Sequence, residues 1–123
     1  MRFETMTPAQ IARIIDLPLA EWPGRCNVVA LLMLEAGLAC GDMIGGRYHG
    51  VVAPGTLFST RDPRCGIGHV WIELTDGRHL DPTRWAFEGV APYLWCGAPT
   101  DYEPRRRVKV APKVTEAPVP VST

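Results

Sequence analysis

Trp22-Pro23-Gly24-Arg25-Cys26-Asn27-Val28-Val29-Ala30-Leu31-Leu32-Met33-Leu34-Glu35-Ala36-Gly37 reads as a turn, a cysteine, and an apolar run that stops at a glycine. Pro23-Gly24 punctuates the chain, and the run from about Arg25 to Ala36 is apolar on nearly every side. That pattern predicts a buried central helix with Gly37 as its left-handed cap. Cys26 then stands at the helix start, where the partly positive end of the helix dipole favours thiolate over thiol. Asn27 and Glu35 must find partners or lie at the helix ends.

On the N-terminal side, Thr7 reads as an N-cap with Pro8 in the first turn. Ile11, Ile14 and Ile15 give the apolar stripe of a short helix over 8–16, which Leu17-Pro18 ends. On the C-terminal side, Met43-Ile44 and Tyr48 to Val52 fit two short strands around Gly45-Gly46, or one bent strand. The stretch from Pro54 to Gly68 is rich in turn residues and reads as loop.

His69-Val70-Trp71-Ile72-Glu73-Leu74, Thr75-Asp76-Gly77 and Arg78-His79-Leu80-Asp81 form the clearest hairpin signal in the chain. A three-residue loop at 75–77 pairs Leu74 with Arg78, Ile72 with Leu80 and Trp71 with Asp81. Alternation then puts His69, Trp71, Glu73, His79 and Asp81 on one face, and Val70, Ile72, Leu74 and Leu80 on an apolar face turned to the core. Asp81 becomes a diagonal neighbour of His69, with Cβ atoms roughly 7–8 Å apart. A two-residue loop at Asp76-Gly77 would turn Asp81 to the opposite face.

Val90 to Trp95 is expected to add one more strand. After Pro104 the chain is rich in Pro and Val with scattered charge, so the domain is expected to span 1–103, followed by an extended or flexible tail over 104–123.

Placed against the start of the Cys26 helix, the hairpin face yields a Cys–His–Asp triad. Cys26 is the nucleophile, His69 takes its proton, and Asp81 orients and stabilises the imidazolium. Backbone N–H groups at the helix start would hold an oxyanion, with the Trp22 indole as a further candidate donor and Trp71 as a candidate cleft wall. Cys65, in the loop before His69, is a rival nucleophile. His79 is a rival partner for Asp81, and Asp81 before Pro82-Thr83 is also a common turn initiator. Cys40 and Cys96 are expected to be inert, Trp85 and Trp95 to be core or cleft wall, and His49 to lie at the surface.

Gly24-Arg25-Cys26 opening an apolar helix, His69-Val70-Trp71-Ile72-Glu73 and Leu80-Asp81-Pro82-Thr83 together resemble the transglutaminase-like superfamily of papain-related cysteine enzymes. The resemblance covers about residues 20–85. It implies an α+β fold with a papain-like core, a central buried helix packed on an antiparallel sheet. It also implies nucleophile, base and orienting roles for Cys26, His69 and Asp81, and a peptide or protein substrate. Asn27 stands where animal transglutaminases usually carry tryptophan, and the R-G-G-x-C pattern of arylamine acetyltransferases is absent. The resemblance therefore leaves peptide hydrolysis, amide hydrolysis and acyl transfer to an amine open. A catalytically silent member of the fold used for protein binding is the alternative, and an assembly accessory that makes contact through its tail is another.

The bulk composition fits one soluble domain: 123 residues, 46% hydrophobic, 21% charged, formal net charge zero. That balance argues against nucleic acid or an anionic membrane as a partner. Arg105-Arg106-Arg107 with Lys109 is too short a run to change this and reads as a solvated cluster. No apolar run is as long as a membrane span and no signal pattern opens the chain, so a cytoplasmic location with reduced thiols is expected. The cysteine spacings fit no structural zinc site, and the expected chemistry calls for no metal or organic cofactor.

Overall fold

The computed structural model describes residues 3–58 and 65–113. Within them the fold is α+β, with three helices and a five-stranded antiparallel sheet. Helix α1 spans Pro8–Ile15 and α2 spans Cys26–Glu35; strands β1 (Gly41–Tyr48), β2 (Ile67–Leu74) and β3 (His79–Asp81) follow. A short helix α3 (Arg84–Glu88) precedes β4 (Trp95–Gly97) and β5 (Tyr102–Lys109). The sheet order is β4-β3-β2-β1-β5.

The helices start and stop where local chemistry dictates. Thr7 and Gln10 form a reciprocal capping box at the head of α1. Gly37, with φ +73°, carries the chain out of α2, and the N–H of Leu38 closes back onto the Met33 carbonyl (3.0 Å). Helix α2 buries Val29, Ala30, Met33 and Leu34, while Asn27 at its head is exposed and Leu31 and Leu32 are half-buried. The helix is thus covered on one side rather than all round. Glu35 finds its partner at the other end: its carbonyl accepts from the Lys113 N–H (2.8 Å), and its carboxylate pairs with the Lys113 ammonium.

The hairpin adopts the three-residue register. Ile72 pairs with Leu80, Glu73 with His79, and the Leu74 N–H donates to the Arg78 carbonyl (2.8 Å). The alternation assigns each face of the sheet to a different core. Ile72, Leu74 and Leu80 pack under α1 and α2 with Ile11, Trp22, Val29 and Met33. Ile67 and Trp71, facing the other way, pack with Ile44, Tyr48, Phe87 and Tyr102. Both faces are therefore built on apolar contact.

Of the two readings of 43–52, the single bent strand is the one found. Strand β1 runs through Gly45-Gly46, and its pairing with β5 shifts register there. A Cβ at Gly46 would overlap the Glu103 carbonyl and press on the Trp71 ring, so the bulge requires a glycine.

Two further expectations need correction. Residues 104–109, expected to belong to the tail, are part of β5, and the domain does not end at 103. Proline and three arginines concealed the strand. Pro104 sits at the bulge opposite Gly46, where no ladder hydrogen bond is required, and an edge strand leaves its charged side chains in water. Residues 114–123 of the expected tail lie outside the described residues. The strand expected over 90–95 is short and late, beginning only at Trp95, because α3 and its left-handed Gly89 cap occupy the approach.

Candidate active site

Cys26 is the first residue of α2, and the Arg25 side chain makes no capping hydrogen bond there. The first-turn N–H groups of the helix therefore keep their positive end uncovered by a side chain. His69 lies near the start of β2 and is 4% exposed; Asp81, the last residue of β3, is fully buried.

His69 Nε2 and Asp81 Oδ2 are 2.8 Å apart. That bond leaves Nδ1 as the ring nitrogen available to the thiol. Nδ1 has no partner that meets full hydrogen-bond geometry, yet thiol and ring are close enough to shift each other's proton affinity. The contact is loose.

Pro82 shapes this corner. In the β2–β3 ladder the next hydrogen-bonding position beyond Ile72–Leu80 would join Val70 to residue 82. Proline has no N–H to offer, and the Pro82 carbonyl accepts from the Trp85 indole instead (2.8 Å). The β3-side edge of β2 is therefore open at Val70, and the Val70 N–H lies close enough to the Cys26 sulfur to favour the thiolate.

The electrostatics follow from these contacts. Burial pushes the Cys26 thiol up, and Asp81 adds to that. The close approach and charge of His69, with the nearby Val70 N–H, outweigh both, so the thiol lies below its ordinary value. Burial alone would strip His69 of its proton. The Asp81 charge and hydrogen bond, with a smaller contribution from Cys26, reverse this and hold the imidazole up at about 9. Burial likewise opposes a charged Asp81, but His69, Tyr102 and the Thr83 N–H together hold its carboxyl below the usual range.

Asp81 serves two purposes through its two oxygens. Oδ1 accepts from the Thr83 N–H (3.1 Å) and hydroxyl (3.3 Å), which is the turn-initiating role. Oδ2 accepts from His69 and from the Tyr102 hydroxyl (2.7 Å). Arg84, itself buried, reaches the Tyr102 oxygen (3.5 Å), ties to Asp101 (2.8 Å) and Glu88 (3.2 Å), and lies over the Trp95 ring. Sequence reasoning missed Tyr102 and Arg84. Tyr102 opens a strand read as the approach to a tail, and no local pattern marks it.

The remaining candidates separate cleanly. Trp22 is fully buried and its indole donates to the Leu17 carbonyl (2.9 Å), so the expected oxyanion donor is committed elsewhere. Helix α1 ends at the left-handed Asp16, and the Leu17 carbonyl just beyond it is satisfied by this side chain. Trp71 is also fully buried. Its indole donates to His79 Nδ1 (2.8 Å) and its ring stacks 6.0 Å from that of His69, so it backs the histidine and does not line the cleft. That bond engages His79 away from Asp81. Cys65 and Cys40 are exposed, and Cys96 is half-buried in β4. His49 pairs with Glu103 at the surface (2.9 Å).

A cavity of about 280 Å³ opens over Cys26 and His69, bounded by Gly24, Phe58, Thr83 and Phe87 among others. The Phe87 ring meets His69 edge-on at 4.7 Å and shields the imidazole from water. Among the described residues no cluster of three or more metal-ligating side chains occurs, and no helix is long and apolar enough to cross a membrane. The chain matches no protein-family model, no curated protein and no solved structure.

Proposed function

We propose that this protein is a cysteine-dependent enzyme of the transglutaminase-like kind, acting on a peptide or amide bond through Cys26, His69 and Asp81. The observation that carries the reading is the shared ring: His69 gives Nε2 to a buried carboxylate at 2.8 Å and leaves Nδ1 for a thiol whose proton is already loosened. Nδ1 takes the thiol proton, and the thiolate attacks the substrate carbonyl. N–H groups of the α2 first turn stabilise the oxyanion. As the tetrahedral intermediate collapses, the C–N bond breaks, the imidazolium returns its proton to the departing amine, and a thioester remains on Cys26. Water or a second amine, deprotonated by His69, then releases the acyl group.

Iodoacetamide alkylation followed residue by residue across pH tests this. Cys26 should react faster than the exposed Cys40 near neutral pH, with a step below the ordinary thiol value of 9.0. A Cys26 that reacts no faster than Cys40 and shows no such step would refute the enzyme reading and leave the silent binding module.

A further inference from the structure

We propose that the open half of the helix-side sheet face is the substrate seat beside Cys26, and that it takes a peptide whose carboxylate is held by Arg47 and Arg106. The proposal rests on the thiol chemistry above and names the substrate class for it.

Helix α2 covers only part of that face. Beyond it lies a trough of about 430 Å³, with Met43, Val70 and Val108 supplying apolar surface and Arg47, Arg105 and Arg106 supplying charge. The trough adjoins the nucleophile directly. Gly68 lines both the trough and the Cys26 cavity, and Val70, whose N–H lies near the Cys26 sulfur, lines the trough.

Its floor is bare main chain. Gly45 and Gly68 lie diagonally across β1 and β2, opposite Val70 and Arg47, and a side chain would weigh little on either: a Cβ at Gly68 meets nothing within 4 Å, and one at Gly45 meets only the Arg106 Cβ at 4.0 Å. Neither has the positive φ that would demand glycine. Glycine inside a strand weakens it, so two such residues without an internal reason mark a place where another backbone comes close. Gly46, held by its own bulge, is the contrast.

The charge points to the ligand. Arg107 pairs with Asp42 (2.7 Å) and with Glu73, Lys109 with Asp42 (3.5 Å), and Arg105 with Glu103 (2.8 Å). Among the described residues Arg47 and Arg106 have no carboxylate partner. In a chain of zero formal net charge, two guanidinium groups beside an apolar, glycine-floored trough form a local complement to a carboxylate, either an Asp or Glu side chain or a chain terminus.

The test uses two series of short peptides that alkylate Cys26 when its thiolate displaces their chloride. Chloromethyl ketones place the peptide on the acyl side of the reacting carbon, and N-chloroacetyl peptides place it on the leaving-group side. Each is made with Glu or Gln, and the N-chloroacetyl series also with a free or an amidated C-terminus, which separates the two carboxylate sources. In one series the acidic probe should modify Cys26 about tenfold faster than its neutral twin, and the advantage should shrink with added salt. The ratio should fall to about one in the Arg47→Gln, Arg106→Gln double variant. Ratios of about one in both series, with Cys26 still activated toward iodoacetamide, would overturn the substrate seat and leave the chemistry standing. A Cys26 inert to iodoacetamide would overturn both. A double variant that changes sedimentation, with the probe ratio intact, would assign the trough to a second copy of the chain and overturn the substrate seat.

Discussion

Asp81→Asn changes one oxygen for an NH2 group and tests whether the carboxylate sets the reactivity of a thiol it does not touch. In the native protein His69 is held up from an ordinary 6.5 to about 9, although burial works against its charge. That difference favours imidazolium by about 3 kcal/mol. The amide removes the charge, and burial then dominates, so His69 titrates at or below its ordinary value. The amide also donates where the carboxylate accepted. His69 Nε2 must become the acceptor, Nδ1 carries the proton, and the imidazole can no longer take one from Cys26. With no imidazolium beside it, the buried thiol rises to or above its ordinary 9.0, where only about 1% is thiolate at pH 7. Alkylation of Cys26 at pH 7 should therefore slow by about ten- to a hundredfold, and the low step in the pH profile should disappear. The Thr83 contacts to the other oxygen survive, so circular dichroism at 20 °C should show a folded, less stable protein. A folded variant that keeps the native alkylation rate and profile would refute the coupling from Asp81 through His69 to Cys26.

Two further substitutions probe the supports of that pair. Tyr102→Phe removes a buried 2.7 Å hydrogen bond to a charged carboxylate while Asp81 keeps His69 and Thr83. Urea denaturation at pH 7 should show a loss of about 2 kcal/mol, and the loss should shrink in acid as Asp81 takes up its proton, because a carboxyl held low contributes stability only while it is ionised; equal stabilities at pH 7 would contradict this. Gly46→Ala drives a methyl group into the Glu103 backbone and against Trp71. Thermal melting should show a loss of about 1–3 kcal/mol, and an unchanged melting temperature would mean that the bulge tolerates a side chain.

The legible parts of the sequence were those set by short-range rules. Thr7-Pro8 starts α1, Gly37 ends α2, and the loop ending in Gly77 fixes which face each residue of β2 and β3 takes; each depends on a few adjacent residues. That register brought His69 and Asp81 to the same side, and their 2.8 Å contact follows from it. The illegible parts depend on residues far apart in the chain. Strand β5 has no clean alternation because its charged edge faces water and its proline sits at a bulge whose other half is Gly46, 58 positions earlier. Tyr102 reaches Asp81 only once that edge strand has paired with β1. Trp22 failed as an oxyanion donor for a similar reason, since its partner carbonyl, Leu17, lies just beyond the end of a different helix.

Asp81-Pro82-Thr83 shows why weighing a turn role against an orienting role posed a false choice. A carboxylate has enough lone pairs for both, and here Oδ1 holds the turn while Oδ2 holds the histidine. The turn fixes the carboxylate, so its hydrogen bond to His69 is made by a group with little freedom left to lose. Pro82 contributes by omission. By ending the β2–β3 ladder it leaves the Val70 N–H unpaired on that edge and near the Cys26 sulfur, where the head of α2 meets the sheet. Thr83 in turn lines the cavity over Cys26. The same three residues therefore terminate a strand, position His69 and border the cavity over Cys26. Replacing the turn with another of equal stability would keep the fold but lose the geometry around the thiol.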